Sequence, residues 1–435
     1  MEYFLAVDVG GTFLKGLVYE AGSKNCESIS RVALSPIKAQ SDGGQVIDPS
    51  ENVEAVLKLL RHITPKNGRC IGIGVTGQMH GVVVVDDFYK AITPIYTWRS
   101  NIARMSDPDI RVTIEELQND LGSETIKELG NELRTGIPLQ TLTGLNRLGR
   151  LGHSNCVLSL ISFVALSLST KSRVNLIHSS DAAAFGLFDV RLNTWHDTAI
   201  KVLGLQNLNF PDVTSRIESV GWSSEFDCPV YAAIGDHQTN LAGVELGHNE
   251  VSINLATGGQ VSKIAQAPSP ALQTRPYFDE QFLHTVTHIP AGRSLNVLVS
   301  LFSHFHRGST DDLWDRIQEA TAIRSETSLI VDNSFFESPF GSRGSISNIT
   351  EDNFSVGDLF RAACNSIGKK VHESLTLIDP DRNADIVLSG GALTRFLPLK
   401  EAIIDQLRSR HVRLLEGDDA SLRGLCLLLD RYVLD

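Results

Sequence analysis

An α/β layer fold, repeated in two similar halves, is what this 435-residue sequence predicts. Three observations predict it. An apolar run from Tyr3 to Val9 passes through Asp8-Val9-Gly10-Gly11-Thr12 into a second run, Phe13 to Tyr19. Near residue 235 the pattern restarts: Gly235-Asp236 opens a small-residue helix, and Val251–Leu255 passes through Thr257-Gly258-Gly259 into Val261–Ile264. Further on, the short apolar run 385–388 feeds Ser389-Gly390-Gly391-Ala392. One strand, Gly-rich turn, strand unit in each half predicts two domains, 1–235 and 236–435, with a cleft between them.

Composition narrows the class of partner. There are 39 basic and 51 acidic residues, a net charge of −12, and no basic block. Nucleic acid and anionic membrane are therefore not expected as partners. The cysteines (Cys26, Cys70, Cys156, Cys228, Cys364, Cys426) are scattered without a Cys-x-x-Cys pair, so neither a zinc ribbon nor a redox motif is indicated. The longest apolar stretch, Val157 to Leu168, is too short to span a bilayer and is expected as a buried helix. The first strand begins almost at Met1, so no signal peptide is expected, and a reducing cytoplasm fits the cysteine usage.

The elements follow in order. Residues 3–9, 13–19 and about 28–33 are expected as strands. Asp48 to Arg61 is a helix, capped by Asp48 or Ser50, with Val53, Val56, Leu57 and Leu60 at helical spacing. Cys70–Val75 is a strand opening into Thr76-Gly77-Gln78-Met79-His80-Gly81, and Val82–Val85 is the next. A strand-like 92–97 precedes Trp98. Residues 115–121 and 125–129 are expected as two solvated helices. Ser179-Ser180-Asp181 reads as an N-cap before Ala182-Ala183-Ala184. Residues 354–377 form a long helix. The Ser389–Ala392 turn opens a helix around 399–407. His284 and His288 have a helical metal spacing but lie in a strand-like segment, about 13 Å apart at ~3.3 Å per residue, so no zinc site is expected there.

The first hairpin has the chemistry of a phosphate loop. Gly10 and Gly11 let backbone N–H groups approach an anion, Thr12 adds a hydroxyl, and Asp8 suits a hydrated magnesium ion. No Gly-Lys-Ser/Thr opens a helix, which excludes a Walker loop. No helix follows the glycines, which excludes a dinucleotide fingerprint. Taken alone, the same residues also suit an ordinary hairpin turn.

Taken together, the ordered motifs resemble those of the FGGY carbohydrate kinases, which share the actin-like ATPase fold of two ribonuclease-H-like domains. Asp8 to Thr12 resembles their first phosphate motif, and Gly77-Gln78-Met79-His80-Gly81 their sugar loop. Asp181 to Asp189 resembles their Asp-x-x-x-Ala segment, and Gly235-Asp236 the catalytic aspartate motif. Ala256-Thr257-Gly258-Gly259 is similar to the second phosphate motif, and Ser389 to Ala392 to the adenosine motif. Arg275-Pro276-Tyr277-Phe278 and Ile346-Ser347-Asn348-Ile349 resemble the sedoheptulokinase branch more than the xylulokinases. Two departures bear on sugar fit: Arg99-Ser100-Asn101 follows Trp98, and Gly144 stands where the family has a tryptophan.

The resemblance implies ATP-dependent phosphorylation of a ketose, with sedoheptulose going to its 7-phosphate. A pentulose kinase such as a xylulokinase is the alternative, and a non-catalytic sugar and nucleotide sensor is a different class. It implies Asp236 as general base. Gln78, Met79, His80 and Trp98 are implied as sugar contacts. Gly10, Gly11, Thr12, Lys15, Thr257, Gly258, Gly259, Gly390, Gly391 and Ala392 are implied for ATP, and Asp8 with Asp236 for Mg2+ held through water. Each residue also has a plainer use: Asp236 and Asp181 as helix caps, His80 as a satisfied buried histidine, Trp98 as core, Lys15 as a solvated edge residue. The partners expected are the sugar and ATP, with a homodimer left open.

Overall fold

The computed structural model describes residues 1–23, 29–34, 36–40, 43–102, 111–152, 155–415 and 419–434. Cys26 and Ser28 lie outside the described residues. Two compact units emerge. Residues 1–245, 266–282 and 419–435 form the first, and 246–265 with 283–418 the second. The single division expected at 235 lacks these excursions, in which two later segments return to the first unit.

The central sheet of the first unit runs in the order Ser219–Ser223, Cys228–Tyr231, Arg69–Gly77, Glu2–Val9, Phe13–Glu20, Ser30–Ala33, with Ile234–Gly235 also paired to Arg69–Gly77. Glu2–Val9 pairs antiparallel with Phe13–Glu20 and parallel with Arg69–Gly77. Glu2–Val9 is buried from Tyr3 onward, as its unbroken apolar run requires of a strand covered on both faces. One face packs on helix Pro49–Ile63, whose Asp48 cap accepts from the Ser50 and Glu51 N–H groups.

The other face is covered by helix Ala420–Leu429, through Leu422, Leu425 and Leu429 against Phe4, Ala6, Leu17 and Tyr19. That helix meets Asp236–Gly243 almost backbone to backbone. A Cβ on Gly424 would lie 1.8 Å from the Thr239 carbonyl oxygen, and one on Gly243 1.9 Å from that of Ala420. Only glycine permits this approach.

The second unit repeats the plan. Its strands run Phe282–Pro290, Gly258–Ala265, Glu250–Leu255, Asp385–Ser389, Val412–Leu414. Glu250–Leu255 is antiparallel to Gly258–Ala265 and parallel to Asp385–Ser389. In both units a hairpin strand thus lies beside a parallel strand, the repeated α/β plan that the two Gly-rich turns predict and the ribonuclease-H-like arrangement that the family resemblance implies.

Several local expectations need correction. Val157 to Leu168 is not one helix: Cys156–Ser159 is a strand, and only Leu160–Leu168 is helical, with Ser159 as its N-cap. An all-apolar run carries no period by which to tell the two apart. The two helices expected near 115 and 125, by contrast, stand: the span Ile114–Glu128 is broken at Gly122, whose φ 75° and ψ 162° are not helical. The strand expected over 92–97 shrinks to Ile95–Tyr96. Asp181 is not an N-cap: His178 caps Ser179–Ala182, and Asp181 lies inside that turn. No helix among the described residues is long and apolar enough to cross a membrane.

Candidate active site

The parallel pairing brings three sequence-distant residues of the first unit to one edge. Asp8 is in register with Thr76, and Gly235 with Gly77. The C-terminal ends of Glu2–Val9, Arg69–Gly77 and Ile234–Gly235 therefore present Asp8, the loop Gln78-Met79-His80 and Asp236 side by side. This is the end of an α/β sheet where ligands bind, because strand termini free side chains and backbone groups. A Thr76–Thr239 hydroxyl contact of 2.9 Å ties the strand Arg69–Gly77 to the helix that Asp236 begins.

Asp8 is buried, and burial pushes its carboxyl pKa up. Ser421, whose Oγ donates to Oδ2 at 2.7 Å, and the nearby Lys15 oppose the shift, while Asp419 adds to it. Lys15 faces Asp8 across the hairpin and pairs with Asp419 at 3.0 Å. Asp236 stands at the first position of Asp236–Gly243, with Gly235 as N-cap, so its side chain is not the cap. Loss of water and then the Asp8 charge push its carboxyl up to about 7, against the pull of Arg275. Two carboxyls that burial raises, one of them raised further by the charge of the other, fit a hard divalent cation with oxygen ligands.

Gln78 and His80 are buried beside them. Gln78 Nε2 donates to the Gly10 carbonyl at 3.4 Å, and its Oε1 has no partner among the described residues. His80 sits in the left-handed region at φ 66°, which a residue of its size rarely adopts. Its Nδ1 lies 2.8 Å from the Ala184 carbonyl, so Nδ1 carries the proton. Burial and then Arg134 hold the ring neutral, leaving Nε2 as an acceptor. Met79 is buried against Arg275. Trp98 is half-buried, with the Arg99 guanidinium 5.2 Å from its ring centroid. Asp181 is fully buried, accepts from Ser159 and Ser162 at 2.5 and 2.6 Å, and is pushed up to about 6 by burial. It is a core acceptor.

In the second unit, Asn254 is in register with Ser389, so the Thr257 and Gly390 turns leave adjacent parallel strands at the same end. Thr257 and Gly258 are exposed, while Gly259 is buried in the hairpin. The Thr257 carbonyl accepts from Arg293 N at 2.8 Å, which sets the turn against the start of helix Gly292–Ser303. Gly390 has φ 110°, and a Cβ there would lie 2.3 Å from the Leu255 carbonyl oxygen. Gly391 and Ala392 begin the short helix Gly391–Arg395, partly exposed. In the first unit Thr12 is exposed and Gly10 and Gly11 are partly so, which leaves that turn open to an anion.

Residues 3–238 match the N-terminal domain of the FGGY family of carbohydrate kinases. The chain belongs to this family. Its members transfer a phosphoryl group to a sugar, and ATP as donor follows from the kinase reaction. Sedoheptulokinase from Mus musculus is 22% identical over 463 residues, spanning 92% of this chain and 91% of that protein. Xylulose kinase from Staphylococcus xylosus is 26% identical over 228 residues, 52% of this chain and 45% of that one. The structure of gluconate kinase from Lactobacillus acidophilus superposes with a TM-score of 0.83 at 16% identity, covering 100% of this chain and 90% of that one. The last likeness establishes the FGGY kinase fold.

Sequence reasoning did not single out Ser421, Asp419, Glu132 or Arg134 of this FGGY kinase. It noted Arg275 only as part of a resemblance. No local pattern points to them: Ser421, Asp419 and Glu132 meet partners more than a hundred positions away, and Arg134 matters only through its neighbour Glu132.

Proposed function

We propose that the chain is an ATP-dependent ketose kinase that converts sedoheptulose to sedoheptulose 7-phosphate, with Asp236 as general base. The observation that carries this reading is the Asp236 carboxyl, raised to about 7 beside Asp8 and next to the Gln78–His80 loop. A base is most effective when its pKa lies near the working pH.

His80 Nε2 and Gln78 Oε1, both acceptors, take hydrogen bonds from other hydroxyls of the sugar, while the attacking hydroxyl, whose one proton is the one transferred, lies within reach of the Asp236 carboxylate. As its oxygen bonds to the γ-phosphorus, the bond from phosphorus to the ADP oxygen breaks. The hydroxyl proton passes to Asp236, and ADP leaves with the electron pair. Asp8 and Asp236 would hold Mg2+, which offsets negative charge on the phosphates. Backbone groups at Gly10–Thr12 bind phosphate oxygens, with Lys15 adding charge near Asp8, and the Thr257–Gly259 turn is read as a second phosphate loop. Gly390, Gly391 and Ala392 receive the adenosine. The overall similarity to sedoheptulokinase across nine-tenths of both chains favours the seven-carbon sugar. The shorter similarity to a xylulose kinase favours xylulose as the second reading.

ADP release measured with sedoheptulose, xylulose, ribulose and glycerol, with Asp236→Ala as control, tests this. A preference for sedoheptulose that disappears in the variant is the expected result. A preference for xylulose keeps the chemistry and overturns the substrate. ATP binding without release on any sugar would make the protein a sensor.

A further inference from the structure

A buried ion-pair network of the first unit touches both the sugar loop and the Asp236 turn, and the transfer chemistry above does not use it. Its anchor is Glu132, just 2% exposed. A carboxylate so deeply buried needs several partners. Burial opposes its ionisation, but Arg275 and Arg134 outweigh that and hold the carboxyl far below the usual carboxylate range. Arg275 Nε and Nη2 donate to Glu132 Oε2 at 3.0 and 2.8 Å, Gln273 Nε2 donates to the same oxygen, and Arg134 Nε donates to Oε1 at 3.1 Å.

Arg275 has one more nitrogen to offer. Its Nη1 lies 3.2 Å from His237 Nδ1 and 3.6 Å from Met79 Sδ. A guanidinium only donates, so His237 Nδ1 is the acceptor and the ring is neutral, consistent with burial and Arg275 depressing its pKa to about 3. One planar group therefore links Glu132, the middle of the sugar loop and the residue after Asp236. Its backbone is fixed as well. Thr274 N donates to the Gly130 carbonyl at 2.8 Å, Asn131 Nδ2 to that of Leu272 at 2.9 Å, and Gln238 Nε2 to that of Pro276 at 3.1 Å.

We propose that Arg275, braced by Glu132, is a positioning residue that holds the Met79 loop and the Asp236 turn in one mutual arrangement, so that the sugar hydroxyl meets the base in a single geometry. The proposal rests on the assignment of that loop to the sugar and of Asp236 to proton acceptance. A lysine cannot reproduce it, because the role needs three nitrogens in one plane. Misplacement by about 1 Å costs on the order of 10²-fold in rate.

The test uses the full chain with Arg275→Lys, Arg275→Ala and the charge-neutral double variant Glu132→Gln/Arg275→Met. Steady-state constants for the ketose and for ATP are measured separately, alongside thermal unfolding. Expected is a fall of about 10²-fold in kcat/KM for the ketose in folded Arg275→Lys, a KM for ATP within about twofold of wild type, and partial recovery of Arg275→Ala by added guanidinium. Folded variants with near-wild-type kcat/KM for the ketose overturn the proposal. So does an equal loss on the ATP side, or a loss that follows only the unfolded fraction. If the single variants do not fold, the double variant is read by the same criteria, and its failure to fold assigns the network to stability alone. Wild-type protein without ketose-dependent ADP release overturns instead the reading on which the proposal rests.

Discussion

Replacing Asp236 by asparagine should stabilise the protein in alkaline solution while abolishing turnover. The carboxyl moves from an ordinary value near 3.8 to about 7 on folding. The folded state therefore holds the proton more tightly than the unfolded one. That contribution to stability is complete below 3.8 and is lost as pH rises through 7. At 1.36 kcal/mol per tenfold change in proton affinity, the interval is worth about 4 kcal/mol. Asp236 keeps slight solvent access, so this is a ceiling. Between pH 5.5 and 8.5 the wild type should lose about 2 kcal/mol that Asp236→Asn does not lose. For a chain of this size that is a shift of about 2 °C. The assay is thermal unfolding of both proteins at the two pH values, with a chelator present so that no cation compensates the carboxylates. A stability difference that is the same at both pH values, or larger at 5.5, refutes the reasoning. A cation beside Asp236 favours the ionised carboxyl, so with Mg2+ present the acid limb of kcat/KM for the sugar, about tenfold per pH unit, should begin below pH 7.

Three further substitutions separate the parts of the site. Gly424→Ala places a Cβ 1.8 Å from the Thr239 carbonyl oxygen, so the two helices must part; chemical denaturation should show a loss of about 3 kcal/mol or more. Ser421→Ala removes the hydroxyl that donates to Asp8, raising that carboxyl further. Weaker Mg2+ activation, by about tenfold for a lost hydrogen bond to a charged group, should appear in a metal titration of the rate. Gly390→Ala forces a side chain into a backbone at φ 110° and 2.3 Å from the Leu255 carbonyl oxygen. It should raise the KM for ATP severalfold while sugar binding, followed by intrinsic fluorescence, stays near wild type.

What the sequence revealed depended on how local the signal was. Asp8, Gly10, Gly11 and Thr12 form one continuous turn, and an apolar strand into Gly-Gly and out again has few structural readings. The Gln78–His80 loop and the Asp236 helix were likewise visible at strand ends. The register that brings them together was not, because strand order carries no local signature. Glu132 and Arg275 lie 143 positions apart. A lone glutamate after a polar helix looks solvated until its arginine is seen above it. Asp181 misled for a related reason: an acidic residue before a short alanine run matches a cap, whereas its hydroxyl partners, Ser159 and Ser162, come from a preceding strand and helix that the sequence had merged into one.

The route of the chain also orders its synthesis. Asp8 and its hairpin are made among the first residues, yet the hydroxyl that contacts Asp8 belongs to Ser421. The helix that seals the sheet beneath it is Ala420–Leu429. Between them the ribosome must translate all of 283–418, the larger part of the second unit. A nascent chain stalled anywhere in that stretch carries an exposed apolar sheet face with Phe4, Leu17 and Tyr19 uncovered, and an incomplete acidic centre. The unit that begins first is thus the last to be completed, and until then its bare sheet is a ready substrate for chaperones.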